Sequence, residues 1–174
     1  MLLSFQHVTF AYDGAPTPLF EDMTLHLAEG WTGIVGPNGA GKTTFLHLAA
    51  GYLEPQRGIV QRPGSVVFCP QRTDDLPAEL PTLISSAEAE ACVWRGRLRI
   101  GEGWAERWPT LSHGERKRAQ IAVALWQQSG VLLLDEPTNH IDLVARELLI
   151  EALASCRGIG VLVSHDRGLL DRFC

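Results

Sequence analysis

The sequence predicts an α/β fold: a mostly parallel sheet flanked by helices, with a small antiparallel β subdomain at the N-terminus and a short helical subdomain. Three observations predict it. Short apolar strands alternate with helices along most of the chain, the arrangement that buries a parallel sheet on both faces. The first segments instead alternate apolar and polar residues, as half-buried strands do. Across residues 72–118 the strand signal gives way to helix and loop.

Taken in order, residues 1–12 ("LLSFQHVTFAY" after Met1) read as an alternating strand, and the cluster "DGAPTP" (Asp13–Pro18) as a turn. "FEDMTLHLAEG" reads as a second alternating strand, closed by Gly30. The short apolar strand "WTGIV" leads into a glycine-rich loop and then a helix, "KTTFLHLAAG", stopped by Gly51. "SVVFC" is a further strand, and residues 72–110 carry weak helix and loop signals. "GERKRAQIAVALWQQ" is a strong helix whose apolar face holds Ile121, Ala122, Leu125 and Trp126. "VLLL" is a buried strand, Asp142 can cap the helix "LVARELLIEALASC", and "GVLVSH" is the last strand before "DRGLLDRFC" starts a helix. Internal repeats and low-complexity segments are absent.

The 174 residues suffice for one domain with a sizeable core. Hydrophobic residues make up 45% and charged residues 20%, ordinary for a globular chain. A net charge of −5 carries no global signature of a nucleic-acid binder. Cys69, Cys92, Cys156 and Cys174 show neither C-x-x-C nor ligand spacing, so they read as small buried hydrophobes or spectators. They suit a reducing cytosol and hence a cytoplasmic location. The N-terminus lacks the basic and apolar regions of a signal peptide. No apolar run approaches the ~18 residues of a membrane helix.

"GPNGAGKTT" (Gly36–Thr44) fits G-x-x-x-x-G-K-[ST] between a strand and a helix. The match predicts the phosphate loop of a P-loop NTPase; a chance glycine-rich turn is the alternative. Gly36, Gly39 and Gly41 let the backbone turn its N–H groups around phosphates, and the helix N-terminus adds partial positive charge. Lys42 can reach the β- and γ-phosphates, and the Thr43 hydroxyl can ligate Mg²⁺. "VLLLDEP" then ends a buried strand on two adjacent carboxylates, Asp135 and Glu136. Unpaired buried carboxylates are costly. In a parallel sheet such a strand end lies beside the nucleotide loop, so Mg²⁺ and Lys42 are the positive charges expected to meet them. Asp135 can bind Mg²⁺, and Glu136 can polarise an attacking water.

These motifs, with several others in the same order, resemble an ATP-binding cassette (ABC) ATPase domain over nearly the whole chain. "LSHGE" (Leu111–Glu115) is similar to the family signature LSGGQ, and "NHID" (Asn139–Asp142) to the segment that contacts the opposite subunit. "SHD" (Ser164–Asp166) resembles the switch-histidine loop, and Gln71 in "FCPQR" the glutamine that follows a strand. The resemblance implies one nucleotide-binding domain over residues 1–174, with 72–118 as its helical and signature part. It implies ATP and Mg²⁺ as ligands. Gly36, Pro37, Asn38, Gly39, Ala40, Gly41, Lys42, Thr43 and Thr44 would hold the nucleotide, with Tyr12 against adenine. Thr43, Gln71 and Asp135 would serve Mg²⁺, Glu136 would be the general base, and His165 would position the γ-phosphate and water. Ser112 and Gly114 would contact the γ-phosphate of ATP held by a second cassette, supplied by another copy or by a missing second domain. Tyr12 as core packing, and Gln71 or His165 as ordinary loop residues, are the alternative readings.

Two departures from the family pattern stand out. His113 replaces a glycine; if that backbone needs positive φ, strain of roughly 1–3 kcal/mol follows, and the imidazole could also add a phosphate contact. The chain also stops soon after His165, so a fragment or a shortened domain is expected. "EPTNHID" with "SHDRGLLDR", and only 40 positions between Gln71 and Leu111, resemble the soluble ABC-F branch, whose members commonly act on ribosomes. The motor subunit of a membrane transporter and a poorly hydrolysing truncated cassette are the other readings. "WRGRLR" (Trp94–Arg99) could touch RNA phosphates or form a solvated charged face. "ERKR" (Glu115–Arg118) reads as surface charge on its helix.

Overall fold

A computed structural model describes all 174 residues, Met1–Cys174. The chain divides into two compact units. One comprises Met1–Phe68, Ser129–Asp135 and Arg157–Cys174; the other comprises Cys69–Gln128 and Glu136–Cys156.

The first unit holds both sheets. Strands β1 (Leu2–Phe10) and β2 (Phe20–Ala28) form an antiparallel pair, and β4 (Arg57–Gln61) lines the other edge of β1 in the order β2-β1-β4. Leu3, Phe5, Val8 and Phe10 of β1 are all buried. The step from Phe5 to Val8 is odd, so strict alternation would turn Val8 outward. A bulge at His7 (φ 53°) absorbs the extra residue, and a second bulge across the pair holds Asp22 (φ 48°). The freed N–H groups are satisfied by hydroxyls, His7 N–H donating to Thr24 Oγ1 at 3.1 Å and Asp22 N–H to Thr9 Oγ1 at 3.2 Å. The two bulges meet where His7 Nδ1 lies 2.7 Å from Asp22 Oδ1.

The second sheet has the order β3-β7-β6-β5, with β3 at Gly30–Ile34, β5 at Val66–Cys69, β6 at Val131–Asp135 and β7 at Ile159–Val163. β3 and β6 each pair parallel with β7. Every residue of β6 and β7 is buried, as expected for interior parallel strands. Helix α1 (Lys42–Ala50) packs on β6, and α6 (Arg167–Phe173) on β3. Phe45 of α1 stacks on Phe5 of β1, centroids 4.6 Å apart, so α1 sits in one core with residues from both sheets. Arg62 closes the helix end, donating to Ala49 O at 2.8 Å and Leu48 O at 2.7 Å.

The second unit is helical: α2 (Leu80–Ser85), α3 (Ala89–Leu98), a 3-10 turn at Trp108–Thr110, α4 (His113–Trp126) and α5 (Leu143–Leu153). Its core takes Leu80, Leu83, Trp94, Leu98, Ile121 and Leu149. Asp142 caps α5 by accepting from Ala145 N–H at 2.8 Å. In the Glu115–Arg118 stretch Lys117 is buried, which corrects its reading as surface charge, whereas Arg97 and Arg99 of the Trp94–Arg99 stretch are exposed, as a solvated face expects. Arg95 donates to the carbonyls of Leu83, Ile84 and Ser86 at the end of α2. Arg97 lies over Trp94 and bonds Ser155 Oγ. Arg116 lies over Trp108 and Arg118 over Trp104, while Lys117 is fully buried. Long side chains here fill the orphan carbonyls of short helices.

Several element bounds differ from expectation. Gly30 opens β3 instead of closing β2. β4 was not expected, because only Val60 of its five residues is buried and no alternation shows. α2 and α3 occupy the stretch read as weak helix and loop. β7 ends at Val163, which leaves His165 in the loop beyond it. No disulfide joins the four cysteines, and burial pushes the Cys69 thiol up to about 12. No helix is long and apolar enough to cross a membrane.

Gly58 holds β4 to the bulged part of β1. It has φ 81°, and a Cβ there would lie 2.4 Å from the carbonyl oxygens of both Gln6 and His7. Gly58→Ala is expected to destabilise the chain by at least about 1–3 kcal/mol, from the left-handed backbone alone. Urea unfolding measures this, and an unchanged midpoint contradicts the packing described.

Candidate functional site

The candidate residues divide between the two units, and each group has its own geometry. In the first unit the phosphate loop leaves β3 after Ile34, and Ile34 pairs with Val163. Asp135 ends β6 and pairs with the same Val163. Ser164 and His165 follow directly on β7. Three strand ends therefore carry Gly36–Thr44, Asp135 and His165 to one edge of the parallel sheet, where such sheets bind ligands.

The pleat aims Asp135. Val131 and Leu133 share its face and pack in the core that includes Phe45, Leu46 and Leu48 of α1. Asp135 is 4% exposed, and its Oδ2 accepts from Thr43 Oγ1 at 2.7 Å. A carboxylate offers about four acceptor positions, and the Thr43 hydroxyl fills one. A hydroxyl and a carboxylate side by side form a hard-oxygen pair. Mg²⁺ takes such oxygens one or two at a time and completes its shell with phosphate and water, so these residues fit it.

The loop is exposed at Pro37, Asn38, Gly39 and Ala40, and it turns through left-handed Gly39 and Gly41 (φ 83° and 91°). Lys42 Nζ donates to Gly36 O at 2.8 Å and Pro37 O at 2.9 Å. It thus braces its own loop, and the Asp135 carboxylate is met by the Thr43 hydroxyl. Thr44, buried at the start of α1, lies 2.8 Å through Oγ1 from Tyr12 OH. The Tyr12 ring stands edge-on to Phe10 and is half exposed. His165 is exposed, and Ser164 Oγ accepts from Asp166 N–H at 3.0 Å, which shapes the turn that presents it.

In the second unit Glu136 has φ 46° and His140 φ 57°. Such backbone is sparsely populated for non-glycine residues, and it clusters at functional sites. Gln71 is exposed beyond β5, and its carbonyl accepts from buried Lys117 at 3.0 Å. Ser112 and Glu115 form a capping box on α4, Glu115 N–H donating to Ser112 Oγ at 3.2 Å and Ser112 N–H to Glu115 Oε2 at 2.8 Å. The second of these bonds holds the Glu115 carboxyl below the usual carboxylate range. A Cβ on Gly114 would stand 3.4 Å from Ala145 Cβ, so α4 and the start of α5 approach closely there. His113 is the first helical residue of α4 and lies outside the positive-φ set, so the strain anticipated for it is absent. Its Nδ1 lies 3.0 Å from Thr73 Oγ1.

Sequence reasoning missed one feature of this unit: His113, Lys117 and Gln120 on one face of α4 all bond residues of the 70–73 segment. The polar i, i+4, i+7 spacing was the available signal.

A family model described as ABC transporter matches residues 20–139. A Nitratidesulfovibrio vulgaris protein named as an ABC transporter ATP-binding protein is 34% identical over 99% of the chain and 74% of its own length. ABC transporter F family member 3 of Arabidopsis thaliana is 34% identical over 97% of the chain, which spans 25% of it. The ribosome protection protein VmlR of Bacillus subtilis is 34% identical over 98% of the chain, which spans 32% of it. The chain thus covers a quarter to a third of these last two relatives. Among solved structures, a dimeric post-hydrolysis ATP-binding cassette bound to ADP and Pi superposes with TM-score 0.82 at 20% identity, covering 99% of this chain and 91% of that one. The strand-end constellation, the family match and the relatives agree, and the chain belongs to the ABC transporter family of ATP-binding cassettes.

Proposed function

We propose that this cassette binds ATP and hydrolyses it in a Mg²⁺-dependent reaction. The observation that carries the reading is the 2.7 Å hydrogen bond joining the hydroxyl of the phosphate loop to the carboxylate at the end of β6. Residues Gly36–Thr44 cradle the phosphates, with Lys42 turning from its loop carbonyls to the β- and γ-phosphates. Tyr12 offers its exposed ring to adenine. Thr43 and Asp135, with Gln71, hold Mg²⁺, which supplies charge neutralisation on the phosphate oxygens when bound. Glu136 accepts the proton of the attacking water, and His165 orients that water and the γ-phosphate. Ser112 still has a hydroxyl proton to donate while it accepts from Glu115, which suits it to a γ-phosphate held by a second cassette. The whole chain acts as one nucleotide-binding domain, with 72–118 as its helical part.

For the finer role we read the chain as an ABC-F-like, cytoplasmic ATPase that acts on ribosomes. The short interval between Gln71 and Leu111 and the likeness to VmlR support this. A transporter motor is the second reading, favoured by the Nitratidesulfovibrio relative, most of whose length the chain spans. In both, the partner cassette is a second copy or a further domain.

Calorimetric titration with Mg·ATP tests the central reading. Lys42→Ala is expected to abolish binding. Glu136→Gln is expected to retain it while single-turnover hydrolysis falls by about 10²–10⁴, the usual loss of a general base. Equal affinity in the first variant, or wild-type turnover in the second, contradicts the assigned roles. Sedimentation of the Glu136→Gln chain tests the partners. With Mg·ATP it is expected to form a two-chain species alone and to pellet with added ribosomes. A monomer under all conditions contradicts pairing between copies, and failure to pellet contradicts the ribosomal role.

A further inference from the structure

One face of α4 holds four consecutive residues of the segment that contains Gln71. Lys117 is fully buried, and its ammonium donates to Pro70 O at 2.7 Å, Gln71 O at 3.0 Å and Gln120 Oε1 at 3.0 Å. These acceptors match the three N–H donors of an ammonium. Gln120 in turn donates from Nε2 to Arg72 O at 2.8 Å. His113 Nδ1 lies 3.0 Å from the hydroxyl of Thr73, which is 2% exposed. The three side chains stand at i, i+4 and i+7, one stripe of the helix. Burying an ammonium is expensive unless its bonds are satisfied, so the carbonyls of residues 70 and 71 and Lys117 hold each other in place.

We propose that His113, Lys117 and Gln120 are positioning residues: they lock the Gln71 segment to the helix that begins at Ser112, so that the metal-sensing glutamine and the signature respond as one body. The catalytic consequence rests on the ATPase reading above; the mechanical link does not. His113 is central to it, because a glycine at that position has no side chain to reach Thr73. The imidazole suits the contact. Burial, together with the charges of Lys117, His140 and Arg116, lowers its basicity against the weaker opposing effect of Asp74. A neutral ring can pair with a hydroxyl as donor or acceptor.

The test uses the full chain with Lys117→Met, His113→Gly, His113→Asn and Gln71→Ala. Trypsin cleavage after Arg72 reports opening of the segment, since the Arg72 side chain is exposed while Thr73 is buried. Cleavage is expected to accelerate about fivefold in His113→Gly, the effect of losing one buried hydrogen bond, and more in Lys117→Met. His113→Asn, which retains a hydrogen-bonding group, is expected to restore the wild-type rate. In steady-state hydrolysis Lys117→Met is expected to lower kcat about tenfold with KM for ATP unchanged, as misplacement of a positioned group does. That loss should vanish in the Gln71→Ala background. Unaltered cleavage in both Lys117→Met and His113→Gly, or equal kcat losses with and without Gln71, overturns the proposal. If Lys117→Met does not fold, the two half-exposed His113 variants decide by cleavage alone. A wild-type chain without ATP turnover defeats the ATPase reading and leaves the cleavage result to judge the link.

Discussion

Three strand ends in register are the constraint on which the rest of the site depends. Val163 pairs with Ile34 on one side and Asp135 on the other. The phosphate loop, the acidic pair and the histidine loop therefore start from one line. A slip of one residue in β6 would put Leu134 on the face toward α1 and turn Asp135 away from Thr43. Apolar burial guards against the slip, because Val131, Leu133, Val161 and Val163 all pack in the core that receives α1. The hydrogen bond from Thr43 to Asp135 is thus a product of the same packing that stabilises the sheet. It connects the first turn of α1 to the strand that leads into Glu136.

The helical unit is held together differently. Besides its apolar core, cationic side chains complete its helix ends and turns by donating to backbone carbonyls: Arg95 at the end of α2, Arg116 on Trp108 O and Pro109 O, Arg118 on Leu98 O. The guanidinium groups of Arg116 and Arg118 also lie over the rings of Trp108 and Trp104. Several of the cations in this unit are thus structural, and the stretch from Glu136 to His140 carries two left-handed non-glycine residues in place of regular structure. Backbone of this kind persists where its surroundings determine it.

Much of this was legible in the sequence where local chemistry decides the outcome. The phosphate loop, the cap at Asp142 and the buried run ending at Asp135 each carry their reason in adjacent residues. What stayed hidden depends on partners distant in the chain. β4 has one buried residue and exists because β1 offers it an edge. The bulges at His7 and Asp22 follow from the odd spacing of Phe5 and Val8, a cue visible only once both are known to be buried. Lys117 looked like surface charge because the carbonyls that receive it lie 46 and 47 positions earlier. The anticipated strain at His113 assumed a backbone conformation that the helix start does not require.

The central claim, that Thr43 and Asp135 act as one metal-holding pair, is tested most directly by a double-mutant cycle on nucleotide affinity. Thr43→Val, Asp135→Asn and the double variant would be titrated with ATP in Mg²⁺ and again in chelator. Each single change is predicted to weaken binding in Mg²⁺ and to leave metal-free binding nearly unaltered, with a coupling of about 0.5–3 kcal/mol between them, as for residues in direct contact. Additive losses, or losses of equal size with and without Mg²⁺, would contradict it.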